Sequence, residues 1–111
     1  MSLKSQDLFN VSNKVVVVTG GSRGIGEMIT SGFLANKSKV YITARKEEAL
    51  VKKAEELSQK YDCECIPVSG DISNTEGIDA LVKFLNDAEP DGIDYLINNA
   101  GAAWGLSLIH I

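Results

Sequence analysis

Short apolar runs alternate along the chain with longer stretches in which apolar positions recur every three or four residues. Residues 14–19 read Lys-Val-Val-Val-Val-Thr, β-branched and apolar without alternation, as expected of a parallel strand covered on both faces. Downstream, Ile25, Met28, Ile29, Gly32 and Phe33 fall on one helical stripe, which Asn36 and Lys37 end. Residues 39–43 predict a second strand. Residues 46–60 predict a helix with Leu50, Ala54 and Leu57 inward, and residues 63–68 a third strand. Ser73-Asn74-Thr75-Glu76 has the Ser-x-x-Glu form of a capping box. It predicts a helix with the stripe Ile78, Leu81, Val82 and Leu85, closed by Glu-Pro-Asp-Gly and followed by a fourth strand over residues 93–97.

Four strands separated by three helices, with right-handed crossovers, give an α/β fold. The expected architecture is a Rossmann-type doubly wound parallel sheet in the order 3-2-1-4, with helices on both faces. The chain reverses its winding between strands 1 and 4, and ligands bind in the crevice at such a switch point. Glycine-bearing turns follow both of those strands, Gly20-Gly21 and Ala100-Gly101.

Composition narrows the classes. A chain of 111 residues has room for one core, burying roughly two-thirds of its surface. Apolar residues at 44% and charged residues at 23% fit a globular chain rather than a disordered or membrane one, and the longest apolar run, residues 15–18, is too short to span a bilayer. Residues 1–10 lack the basic and apolar segments of a signal peptide, so a cytoplasmic location is the default. Cys63 and Cys65, two apart on a predicted strand, are expected to point to opposite faces and to stay unbonded. With one histidine in the sequence, no metal site is expected. The net charge of −4 argues against nucleic acid as a partner.

A glycine just after a strand can take positive φ and lets a ligand approach the main chain. The helix that follows offers its free N–H groups and positive dipole end to an anion. The phosphate loop of nucleoside triphosphatases requires Gly-Lys-Ser/Thr, whereas Gly24 here precedes Ile25. The Gly-x-Gly-x-x-Gly pattern also fails, since Gly20, Gly24 and Gly26 give Gly-x-x-x-Gly-x-Gly. Thr19-Gly-Gly-Ser-Arg-Gly-Ile-Gly26 instead resembles the Thr-Gly-x-x-x-Gly-Ile-Gly fingerprint of classical short-chain dehydrogenases/reductases. Asn98-Asn99-Ala100-Gly101 is similar to their second fingerprint, and Asp71 to the aspartate that the family places against adenine. The resemblance covers about residues 11–105. It implies a dinucleotide site made by Gly20, Ser22, Arg23, Gly24, Ile25, Gly26, Arg45, Asp71, Ile72, Asn98, Ala100 and Gly101.

The residues after strand 2 choose the dinucleotide. An NAD site wants a carboxylate there for the ribose hydroxyls, but the chain has Thr43-Ala44-Arg45-Lys46. Ala44 leaves space for a 2′-phosphate and Arg45 can pair with it. By resemblance to NADP-dependent members, Arg23 closes on the same phosphate. The expected cofactor is NADP(H). Methyl transfer from S-adenosylmethionine on a similar loop would also want an acid after strand 2, and Arg45 disfavours it.

The resemblance implies a catalytic Asn, Ser and Tyr-x-x-x-Lys further along, and none is assigned here. Tyr41, Tyr61 and Tyr95 have no lysine four residues on and read as packing residues, and His110 has no triad partner. Because family members run to more than twice this length and strand 4 would be left with a bare edge, residues 1–105 are expected to be the N-terminal, cofactor-binding half of an incomplete domain, inactive by itself. Trp104-Gly105, Leu-Phe-x-Val before strand 1, Ala-Arg after strand 2, and Leu-Ser-x-x-Tyr near Glu-Cys resemble the 3-oxoacyl reductases of rhamnolipid synthesis within the family. Residues 106–111, Leu-Ser-Leu-Ile-His-Ile, fit poorly and match one translated frame of a transposon mosaic end, so they are expected to be a non-native tail. The resemblance implies an intact protein that reduces a small carbonyl or acyl substrate, such as a 3-oxoacyl thioester, and forms a homodimer or homotetramer. The alternative is an NADP(H)-binding redox sensor without turnover.

Overall fold

The computed structural model describes residues 11–99, and it places seven elements in alternation. They are β1 (Val15–Thr19), α1 (Gly24–Ala35), β2 (Lys39–Ala44), α2 (Glu47–Tyr61), β3 (Cys65–Ser69), α3 (Thr75–Ala88) and β4 (Tyr95–Asn98). The strands form one parallel sheet in the order β3-β2-β1-β4, the expected Rossmann-type arrangement. Ala100, Gly101 and the expected division at residue 105 lie outside the described residues.

Strand alternation sorts the core into two layers. Val16, Val18, Val40 and Ile42 face one way and pack with Leu34 of α1, Leu50, Ala54 and Leu57 of α2, and Cys65 of β3. Val17 and Tyr41 face the other way, against Ile78, Leu81, Val82 and Leu85 of α3, with Ile93 beside them. Val16, Val17 and Val18 are all fully buried, which is why β1 shows no polar alternation. Each such side chain contributes roughly 1.5–3 kcal/mol by leaving water.

Three local expectations are corrected. The inward residues of α1 are Gly26, Thr30 and Leu34, with Ile29 and Phe33 partly buried, whereas Ile25 and Met28 are 68% and 73% exposed. The glycine turn sets this phase: a Cβ on Gly26 would lie 2.0 Å from the Gly20 carbonyl oxygen, and the Thr30 hydroxyl donates to the carbonyls of Gly26 (2.9 Å) and Gly21 (3.2 Å). That face must meet the turn, and Ile25 and Met28 rotate outward. The second correction concerns α3, whose cap is Asn74 rather than Ser73; Asn74 Oδ1 accepts from the Gly77 N–H at 2.7 Å. Ser73 is committed to Asp71, as described below.

The third correction is to Cys63, which precedes β3 and so escapes the strand's alternation. It packs against the same layer as Cys65, and its thiol donates to the Ser38 carbonyl at 2.9 Å. Both cysteines are free. At the start of β4, the Asp94 N–H donates to the Val15 carbonyl and the Asp94 carboxylate accepts from the Val15 N–H, each at 2.8 Å. Asp94 thus pins β4 beside β1 before the strand ladder begins.

Candidate functional site

In a parallel sheet all strands end on one side, so the turns after β1, β2 and β3 converge. They enclose a crevice of about 450 Å³. Gly20, Ser22 and Arg23 line it from the first turn, Thr43, Ala44 and Arg45 from the second, and Gly70, Asp71, Ile72 and Ser73 from the third. Two backbone bonds hold the turns in place, Gly20 N–H to the Thr43 carbonyl and Gly70 N–H to the Ala44 carbonyl, each at 3.0 Å.

Gly20 and Gly24 have φ of +66° and +60°, a region that glycine enters without the cost a side chain imposes. The turn can therefore fold tightly between β1 and α1. The first residue before α1, Arg23, has extended backbone and makes no side-chain capping bond. Among the described residues no side chain accepts from the N–H groups of the first helical turn, which need an acceptor, and the dipole favours an anion there. By contrast, Asn74 occupies the start of α3.

On the third turn, the Ser73 hydroxyl and N–H both donate to Asp71 Oδ1, at 2.5 and 2.9 Å. These bonds hold the Asp71 carboxyl below its usual range, the hydroxyl contributing most and the Arg45 charge adding to the effect. Asp71 therefore stands in the crevice as an ionised acceptor. Arg23 and Arg45 are both exposed, and the crevice is bounded by two cations and one carboxylate.

Of the residues expected at the site, Gly20, Ser22, Arg23, Arg45, Asp71 and Ile72 line the crevice. Gly24, Ile25 and Gly26 form the first turn of α1, where Gly26 lets the helix approach Gly20 and Ile25 faces outward. Asn98 ends β4, and its side-chain oxygen accepts from the Thr19 hydroxyl at 2.9 Å, joining the two strands that flank the switch point. Asn99 donates from Nδ2 to the Gly20 carbonyl at 3.3 Å, a tie the sequence reading did not include. Thr43, Gly70 and Ser73 were also not anticipated as lining residues. Ser73 carried a signal, its place two residues after Asp71, but the capping pattern absorbed it. Among the described residues, no group of three or more His, Cys, Asp or Glu is placed to hold a metal, and no helix is long and apolar enough to cross a membrane.

Comparison with known proteins agrees with this geometry. Residues 14–110 match the family model for short chain dehydrogenases. The chain is 41% identical over 100 residues to the rhamnolipids biosynthesis 3-oxoacyl-[acyl-carrier-protein] reductase of Pseudomonas aeruginosa, covering 90% of this chain and 38% of that protein. It is also 35% identical over 97 residues to an NADP-dependent 3-hydroxy acid dehydrogenase of Schizosaccharomyces pombe, covering 86% of this chain and 37% of that one. Among solved structures it superposes on the Pseudomonas aeruginosa RhlG/NADP active-site complex with a TM-score of 0.77 and 38% identity, over 85% of this chain and 37% of that one. An L-sorbose reductase from Gluconobacter frateurii, complexed with NADPH and L-sorbose, gives a TM-score of 0.77 and 35% identity, over 84% of this chain and 35% of that one. The chain thus spans well under half the length of these relatives. With the glycine turn, the sheet order and the family match in agreement, the chain belongs to the short-chain dehydrogenase family.

Proposed function

We propose that the crevice holds NADP(H) and that the chain is the cofactor-binding part of a reductase that converts a carbonyl to an alcohol. The observation that carries this reading is the second turn: Ala44 and Arg45 line the same crevice as Arg23, and no carboxylate follows β2 before Glu47. A small residue leaves room for a 2′-phosphate, and two guanidinium groups match its oxygens in charge and geometry.

The remaining groups fit the rest of a dinucleotide. Gly20, Ser22, Gly24, Ile25 and Gly26 bring the pyrophosphate to the uncapped start of α1. Asp71 accepts from the amino group of adenine while Ile72 covers the ring, and Asn98, at the end of β4, borders the nicotinamide side. Once held there, NADPH would supply the hydride for reduction of a carbonyl. No proton transfer is assigned to the tyrosines of the described residues. Tyr41 is bonded to Glu89 at the far end of α3, Tyr95 stacks on Phe33, and Tyr61 lies under the Lys60 ammonium.

The substrate class proposed is a 3-oxoacyl thioester, supported by the resemblance to the Pseudomonas aeruginosa 3-oxoacyl-[acyl-carrier-protein] reductase. The Arg45→Asp variant tests the cofactor reading by titration with NADPH. Removing a cation and placing a carboxylate beside the 2′-phosphate is expected to weaken NADPH binding at least tenfold, since hydrogen bonds to charged groups contribute roughly 1.5–3 kcal/mol each. An unchanged affinity would sink the assignment.

A further inference from the structure

We infer that Ser73 is a positioning residue that aims the Asp71 carboxylate at the cofactor's base, making the site selective for a 6-aminopurine over a 6-oxopurine. The inference rests on the reading of Asp71 given above and extends it to a residue with no part in that reading.

Both Ser73 bonds fall on the same oxygen, Asp71 Oδ1. Among the described residues none donates to Oδ2, so one acceptor is held and the other is left for a ligand. The backbone beneath is equally constrained. A Cβ on Gly77 would lie 1.7 Å from the Asp71 carbonyl oxygen, so the Asp71 main chain rests directly on the first turn of α3. Asn74 fixes that turn through the Gly77 N–H. With its backbone seated on the helix, the Asp71 side chain keeps only its own rotation, and Ser73 removes it. Ser73 itself lines the crevice together with Asp71.

The chemistry of the base then follows. Adenine carries an amino donor at position 6, whereas hypoxanthine carries a carbonyl. A carboxylate fixed at position 6 bonds the first and opposes the second, because two acceptors face each other there and it cannot turn to the N1–H that hypoxanthine offers beside its carbonyl. A carboxylate free to turn can swing away from the carbonyl, and the discrimination falls.

Titration of the full chain with NADP and with deamino-NADP, in which hypoxanthine replaces adenine, tests this. The wild-type protein is expected to favour NADP by roughly tenfold, the value of one hydrogen bond to a charged group. Ser73→Ala is expected to cut that ratio at least threefold with little change in deamino-NADP affinity, and Ser73→Thr to restore it. Asp71→Asn separates reading of the base from the positioning of the group that reads it. If Asp71→Asn abolishes the preference but Ser73→Ala leaves it intact, Asp71 reads the base and Ser73 does not position it. Equal loss of both ligands in Ser73→Ala would show a merely structural role and overturn the inference. A wild-type protein without preference would remove Asp71 from the base site, and the inference with it.

Discussion

Tyr41 lies in the middle of the sheet and is 2% exposed. It donates to the Glu89 carboxylate at 2.5 Å, and Lys39 Nζ approaches the same carboxylate at 2.7 Å. Phe84 meets the Tyr41 ring edge-on. Burial, reinforced by Glu89, pushes the Tyr41 hydroxyl up to about 12. In the unfolded chain tyrosine ionises near 10, so between about pH 10 and 12 the folded state keeps a proton that the unfolded state loses. Stability therefore falls as pH rises through that window. Tyr41→Phe is expected to lower unfolding free energy at neutral pH by about 1–3 kcal/mol, since it takes a donor from a partly buried carboxylate. It should also flatten the alkaline decline. Urea unfolding of both proteins at pH 7 and pH 11 checks this, and identical curves would contradict it. Tyr41 was legible in the sequence as a packing residue. Its partner was not, because Glu89 lies 48 positions away and only the fold brings them together.

At the scale of elements, apolar pattern located every strand and helix but did not fix how each one sits. The stripe Ile25-Met28 belongs to a helix that exists, yet those two residues face outward because α1 is oriented by contact with the glycine turn. Gly26 against Gly20, and Thr30 bonded to Gly21 and Gly26, outweigh the burial of two side chains. The same limit applies at α3: Ser-x-x-Glu and Asn74 stand next to each other in sequence, and the bonds from Ser73 to Asp71 decide which of them caps. Gly26→Ala tests the first of these contacts. Its methyl would meet the Gly20 carbonyl at 2.0 Å and Asn99 Nδ2 at 2.8 Å, and backbone cannot yield as a flexible side chain can. A loss of about 1–3 kcal/mol is expected, as for overpacked cores, together with weaker NADPH binding. A thermal midpoint and affinity equal to wild type would show that α1 does not need this approach.

For the whole molecule, the parallel order β3-β2-β1-β4 brings three turns distant in sequence to one crevice, and the βαβ rhythm made that order legible in advance. The glycine turn, Arg45 and Asp71, which line that crevice, were legible as site candidates because each belongs to a short pattern following a strand. Thr43 and Gly70 were not, because their places at the crevice come from strand register and turn geometry. The crevice holds two arginines and one ionised carboxylate, and in the proposed reading the arginines meet the 2′-phosphate of NADP(H) and the carboxylate its base. Recognition of that phosphate is therefore what the crevice is proposed to do. Calorimetric titration of the wild-type protein with adenosine 2′,5′-bisphosphate and with adenosine 5′-monophosphate isolates this group, since the two ligands share the base and differ by the phosphate. Tighter binding of the bisphosphate by roughly tenfold to several hundredfold is the expected result, and equal affinity for the two ligands would contradict it.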